Sequence, residues 1–214
     1  MSDPSARFQV LLVGVGGQGV LAASQILGQA AHAEDRPVVV GQLHGMSQRG
    51  GSVQCTVIFG DAEGSMLSGA GADAVIALEP IEALRARVFM GPTTRVVMSS
   101  SVVVPFETVL AGAKPPELPG IVADLSSVAR EVHVVDTRAL VGASGETRTL
   151  NVIMLGAAAG LGLLPIGEPA LLDAISARCG HRFQHANHKA FALGRDAVLG
   201  GQAPARSAKE MTAS

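Results

Sequence analysis

The chain has 214 residues, 48% of them apolar and 16% charged, with a formal net charge of −2. That apolar share supports a large buried core and excludes global disorder, and the charge balance gives no broad basic field for nucleic acid. Phe is the sole aromatic residue type, because Trp and Tyr are absent, which leaves little for base stacking.

The opening residues, Met1–Arg7, are polar and lack the charge-then-apolar order of a signal peptide. The apolar run Phe8–Val13 then reads as a buried parallel strand, stopped at Gly14. After the glycines, Val20, Leu21, Ala23, Ile26, Leu27 and Ala30 recur at helical spacing as far as Ala33. A second strand is expected at Pro37–Val40, so the first forty or so residues read as a βαβ unit. Val53–Phe59 reads as a strand closed by a turn at Gly60-Asp61, and Ala74–Leu78 as another, ending in Glu79-Pro80. A helix is expected over Ile81–Val88 and a strand over Arg95–Met98. The prolines of Ala113–Gly120 predict a loop. Val132–Val135 reads as a strand ending at Asp136, followed by helices at Thr149–Leu161, Pro169–Arg178 and Phe183–Leu199. Residues 200–214 read as a disordered tail. The longest apolar stretch, Val152–Leu164, is shorter than the roughly 18 residues of a membrane helix.

Strands alternating with helices imply an α/β fold: one open, mostly parallel, Rossmann-like sheet with helices on both faces, in a single domain over residues 7–199.

Gly14-Val15-Gly16-Gly17-Gln18-Gly19 fits G-x-G-x-x-G between a strand and a helix. Glycines at these places allow a tight turn, backbone approach to a ligand, and close helix–strand packing, while exposed N–H groups favour an anion. A dinucleotide site also expects Asp or Glu about 20 residues on, at the end of the second strand. Val40-Gly41-Gln42 stands there, and Glu34 and Asp35 lie at the wrong end. No Lys follows the glycines, so no phosphate-binding P-loop is present.

The segment Gln42–Ser52 concentrates polar chemistry: His44, Ser47, Gln48 and Arg49, then Gly50 and Gly51. It leaves the C-terminal end of a strand, the edge where open α/β sheets bind ligands. It reads either as a loop shaped for an anionic or carbonyl ligand or a partner subunit, or as a glycine-rich turn with Arg49 in solvent.

Among lesser candidates, Glu79 is a site carboxylate or a favourable charge at a helix start. Asp136 has the same standing. Asn151 either orients a site or makes a polar core bond. His181, His185 and His188 recur at helical spacing beside Cys179, but no carboxylate accompanies them. They read as a solvated or interface face, and His32 and His133 as ordinary residues. No metal site is expected. The only two cysteines, Cys55 and Cys179, are far apart. An iron–sulfur cluster typically takes about four thiolates. Both read as reduced, ordinary residues of a cytoplasmic chain.

GVGGQGV followed by HGMSQRGGSV closely resembles the gamma-type domain of the 2-oxoacid:ferredoxin oxidoreductases. Ala77-Leu78-Glu79-Pro80, the run Asn151–Gly156 and the helix carrying Phe183, Asn187, Ala190, Phe191 and Gly194 fit the same family. Pyruvate and 2-oxoglutarate relatives tend to carry Tyr-Gly-Pro and an acidic residue before Arg-Gly-Gly. His44-Gly45-Met46-Ser47-Gln48 stands here instead, which favours the arylpyruvate branch.

The resemblance implies oxidative decarboxylation of a 2-oxoacid to an acyl-CoA with electrons passed to ferredoxin. It also implies a larger catalytic alpha subunit that carries thiamine diphosphate, Mg and the iron–sulfur clusters. This chain has no Gly-Asp-Gly segment followed by Asn for the Mg-diphosphate, so it is expected to bind none of these cofactors alone and to catalyse nothing alone. The contact set this implies, toward coenzyme A or the partner subunit, is Gly14, Gly16, Gly17, Gln18, Gly19, His44, Ser47, Gln48, Arg49, Gly50, Gly51, Glu79 and Asn151. A stand-alone nucleotide-binding oxidoreductase and a non-enzymatic binding module are the alternatives. No membrane or nucleic-acid partner is expected.

Overall fold

A computed structural model describes residues 5–44, 51–67, 69–103 and 114–200. Six strands form one sheet in the order β2-β3-β1-β4-β5-β6. They are β1 (Phe8–Val15), β2 (Val38–His44), β3 (Ser52–Phe59), β4 (Ala74–Ala77), β5 (Arg95–Ser99) and β6 (Glu131–Val135). The helices are α1 (Val20–Ala33), α2 (Pro80–Arg85), α3 (Leu118–Ser126), α4 (Thr137–Ser144), α5 (Leu150–Gly160), α6 (Glu168–Cys179) and α7 (His181–Leu199). A short 3₁₀ turn, Ala86–Phe89, follows α2.

β1 is one of the two central strands, and its alternation feeds two cores. Val10 and Leu12 join the layer under α1, α5, α6 and α7, while Leu11 and Val13 join the layer under α2 and α3. A strand buried on both faces has no polar face to show, which is why Val10–Val13 reads as an unbroken apolar run. Helices cover both faces, as expected.

The sheet is mixed. β1, β4, β5 and β6 pair in parallel, with Leu12 opposite Ile76 and Ile76 opposite Val97. β3 runs antiparallel between β1 and β2, with Leu12 opposite Cys55 and Cys55 opposite Gln42. The expected βαβ unit therefore has a strand inserted between its two members. A connection as short as 45–51 can only return the chain antiparallel to β2, so β2 and β3 form a hairpin.

Several boundaries differ from expectation. β1 does not stop at Gly14 but runs through it to Val15, paired with β3, and the helix expected over Ile81–Val88 is α2 followed by the 3₁₀ turn. β2 runs to His44 rather than ending at Val40. Gly41 does not break it, because a Cβ there would lie 2.5 Å from Thr56 Oγ1 and from Ser65 Cβ; the loop after β3 crosses closely over the strand, with Thr56 Oγ1 donating to the Ser65 carbonyl at 2.5 Å. The proline segment gives way to α3 at Leu118, with Pro119 in the first turn, where its missing N–H costs nothing. α4 was not expected at all. Asp136 caps it, accepting from the Ala139 N–H at 3.3 Å, and Gly145 closes it at φ 81°. The expected tail after residue 200 lies outside the described residues.

Candidate functional site at the carboxyl edge of the sheet

The C-terminal ends of β1, β4, β5 and β6 share one edge, and antiparallel β3 brings its N-terminal end, Ser52, to that edge as well. The two unusual sequence motifs consequently meet. Val15 pairs with Ser52, and the Gly16 N–H donates to the Gly51 carbonyl at 2.9 Å.

The glycine turn is held from inside. Gln18 folds back so that its Oε1 accepts from the Val15 N–H at 2.9 Å, while its own N–H donates to the Val15 carbonyl at 3.1 Å. A Cβ at Gly14 would stand 2.7 Å from that Oε1 and 2.8 Å from Val20 Cγ2. Gly19 caps α1 in the left-handed region at φ 85°, without a side-chain cap. Asn151, at the start of α5, closes over it, with Nδ2 donating to the Gly19 carbonyl at 3.4 Å and standing 2.9 Å from where a Cβ would be. Asn151 thus pins helix to turn.

Glu79 ends β4 and is fully buried. Both of its oxygens are engaged: Oε2 accepts from the Glu82 N–H at 2.8 Å as the cap of α2, and Oε1 accepts from the Val103 N–H at 3.0 Å. Burial raises its carboxyl above the ordinary range. The N–H groups of Val103, Glu82 and Ile81 oppose that rise, and the nearby Glu82 carboxylate adds to it. Glu82, which sequence reasoning missed, is 1% exposed. It accepts from Ser52 Oγ at 2.5 Å and from Arg85 Nη1 at 2.6 Å. Its signal was present: Glu79-x-x-Glu82 has the spacing of a capping box. Farther along the edge, Ser99 and Thr137 share a hydroxyl contact at 2.6 Å, and Ser101 reaches Thr137 at 3.2 Å. These three were also missed, since hydroxyls at strand ends carry no spacing signature.

The structure thus unites Gly14–Gly19, Gly51, Glu79 and Asn151 along one rim. Ser47, Gln48, Arg49, Gly50 and the His44 side chain lie outside the described residues. Of the histidines near Cys179, His185 is exposed and His188 Nε2 bonds Ser176 Oγ at 2.7 Å, joining α6 to α7; the His181 side chain lies outside the described residues. Among the described residues no group of three or more His, Cys, Asp or Glu could hold a metal ion, and no helix is long and apolar enough to cross a membrane.

A mostly parallel sheet with helices on both faces and a glycine turn at its carboxyl edge defines a Rossmann-like α/β chain. Residues 9–197 match the pyruvate ferredoxin/flavodoxin oxidoreductase family, and the chain belongs to it. Similar curated proteins are the indolepyruvate oxidoreductase subunits IorB of Archaeoglobus fulgidus and Methanothermobacter thermautotrophicus. The first is 34% identical over 92% of this chain and 98% of its own length. The second is 34% identical over 86% and 94%. The fold is also that of the gamma subunit of a keto/oxoacid ferredoxin oxidoreductase from Geobacter sulfurreducens, at TM-score 0.66 and 22% identity, covering 91% of this chain and 99% of that one. A Magnetococcus marinus 2-oxoglutarate:ferredoxin oxidoreductase matches at TM-score 0.67 and 18% identity, over 94% of this chain and 32% of its own.

Proposed function

We propose that this chain is the small (beta) subunit of an indolepyruvate:ferredoxin oxidoreductase, a single gamma-type domain over residues 7–199 acting in the cytoplasm. The observation that carries this is the 34% identity to proteins named indolepyruvate oxidoreductase subunit IorB, spanning nearly all of both chains. In the overall reaction an arylpyruvate and coenzyme A give an aryl-acyl-CoA and carbon dioxide. Two electrons pass to ferredoxin, and the thiol proton is released.

The residues of this chain do not fit the redox groups. Cys55 is fully buried within β3 and Cys179 is half-buried at the end of α6, so the pair cannot ligate a cluster. Thiamine diphosphate, Mg and the clusters are therefore assigned to a larger alpha subunit. What this chain supplies is a rim. The Gly16–Gly19 turn and Gly51, with Arg49, Ser47, Gln48 and His44 beyond them, meet coenzyme A or the partner subunit, and Arg49 supplies a planar charge for a phosphate or carboxylate. Glu79 and Asn151 hold that rim in shape.

The test is co-expression with the cluster-bearing subunit. The mixture is expected to reduce ferredoxin or a viologen dye with indolepyruvate and coenzyme A, whereas the chain alone should be colourless and inactive. Oxidation of a substrate by the chain alone, or a complex that turns over pyruvate faster than arylpyruvates, overturns the reading. Arg49→Ala is expected to lose complex activity with its melting temperature kept; a large fall in melting temperature would make Arg49 structural.

A further inference from the structure

Two acids share one turn of α2 beneath the rim. Glu79 caps the helix, and Glu82 stands three residues on, buried as well. In a capping box the second acid turns back to the main-chain N–H of the first. Glu82 instead accepts from Ser52 Oγ at 2.5 Å through Oε2 and from Arg85 Nη1 at 2.6 Å through Oε1. Arg85 is the outward member of the pair, its side chain 51% exposed against 2% for Glu82.

Burying a second carboxyl group beside the first is costly. α2 does not require it: Glu79 already fills the cap, and an acid in the first turn serves the helix dipole equally well from the surface. What burial adds is reach to β3. Ser52 opens that strand opposite Val15, and the residue before it, Gly51, accepts the Gly16 N–H at 2.9 Å. Two bonds therefore run in series, from Glu82 to Ser52 and from Gly51 to Gly16. Gln18 and Asn151 hold the glycine turn from within and from α5, while Glu82 holds the strand against which it leans. A hydrogen bond to a carboxylate is roughly twice as strong as a neutral one, which makes Ser52 a firm anchor.

We propose that Glu82 is a positioning residue for the reaction of the complex. Acting through Ser52, it sets where the Gly51 carbonyl and the Gly16–Gly19 turn stand, and so how the rim meets coenzyme A. The inference rests on the function proposed above. Glu82 is itself too deeply buried to meet a ligand, so its whole effect passes through the hydroxyl of Ser52.

The experiment compares Ser52→Ala, Ser52→Thr and Glu82→Ala with Glu131→Gln, a control of lowered stability at the opposite end of the sheet. On the full chain alone, amide exchange at Gly16 should quicken about tenfold in Ser52→Ala and Glu82→Ala, the scale of one lost charged hydrogen bond. It should stay native in Ser52→Thr, which keeps the hydroxyl, and in Glu131→Gln. In the complex with the larger subunit, Ser52→Ala and Glu82→Ala should each raise the KM for coenzyme A about tenfold, with kcat less affected and subunit affinity kept. The double variant should do no worse than the more affected single one, because both act on the same bond. Ser52→Thr should restore the native KM, and Glu131→Gln should never lose it. Equal behaviour of Ser52→Ala and Glu131→Gln in both measurements overturns the proposal and reduces the bond to a matter of stability. Weakened subunit assembly with a native KM also overturns it. A native complex inactive on every arylpyruvate refutes the assigned function instead, and exchange at Gly16 then decides the proposal by itself.

Discussion

Glu79 joins two neighbours, Glu82 and Val103, through one buried carboxyl group. Replacing it by Gln keeps the size but puts an amide N–H against one of two main-chain N–H groups, from Glu82 and Val103. A buried donor left without an acceptor costs about 1–3 kcal/mol. Glu79→Gln is therefore expected to melt several degrees below the native chain, read by circular dichroism, while Glu79→Asp should fall between the two. Elsewhere in the sheet, Glu131 is bonded by Arg95 and by His133 Nε2, the latter at 3.0 Å. Burial raises its carboxyl, but those two partners outweigh burial and leave it below its ordinary range. A depressed folded-state value means stability that is present above the unfolded value and is lost as pH falls through the folded one. Native and Glu131→Gln chains should therefore differ in melting temperature at pH 7 and converge in the acid range below about pH 4. A constant gap down to pH 3 would exclude ionisation as the source of the difference. Residue types at this scale were partly legible. Glu79 was expected either to serve the site or to start a helix, and the structure makes it the helix cap. The bond between Ser52 and Glu82 was invisible because it spans 30 positions of sequence and depends on β3 lying beside β1.

At the scale of elements, α5 and α7 pack through two glycines that the family motif already contained. A Cβ at Gly156 would lie 2.1 Å from the Phe191 carbonyl oxygen, and one at Gly194 would lie 1.9 Å from that of Ile153. Neither obstacle is a flexible side chain, so the helices must part. Gly194→Ala is expected to cost about 1–3 kcal/mol, the usual range for overpacking, and to lower the melting temperature by several degrees. A stability equal to that of the native chain would mean that the helices slide apart freely. The elements themselves were largely readable. α1, α5, α6 and α7 lie within a few residues of expectation, since their apolar periodicity is strong. α4 was missed because its eight residues carry little periodicity, although Asp136 before it and Gly145 after it are its start and stop signals. The extent of β2 was misread because Gly41, a breaker in isolation, is required by the loop that crosses it.

For the whole molecule, protection should follow position in the sheet. β1 and β4 are flanked by strands on both sides and covered on both faces, whereas β2 has one open side among the described residues. Amide exchange is expected to be slowest at Leu11–Val13 and Val75–Ala77 and fastest among the strands at Val38–Val40. Exchange at β2 as slow as at β1 would reveal a partner strand on its outer side. The strand order itself was beyond sequence reasoning. The alternation of elements gives an α/β sheet, but nothing local states that the third strand enters between the first two.

That insertion has a mechanical outcome. In a wholly parallel sheet, neighbouring crossovers reach the ligand end from separate strands, so each can drift alone. Here the start of β3 and the glycine turn after β1 are bolted together by the Gly16–Gly51 bond. Lengthening the 45–51 link would re-aim its side chains while the turn stayed put; slipping β3 by one residue would invert every side chain of the strand and unseat both.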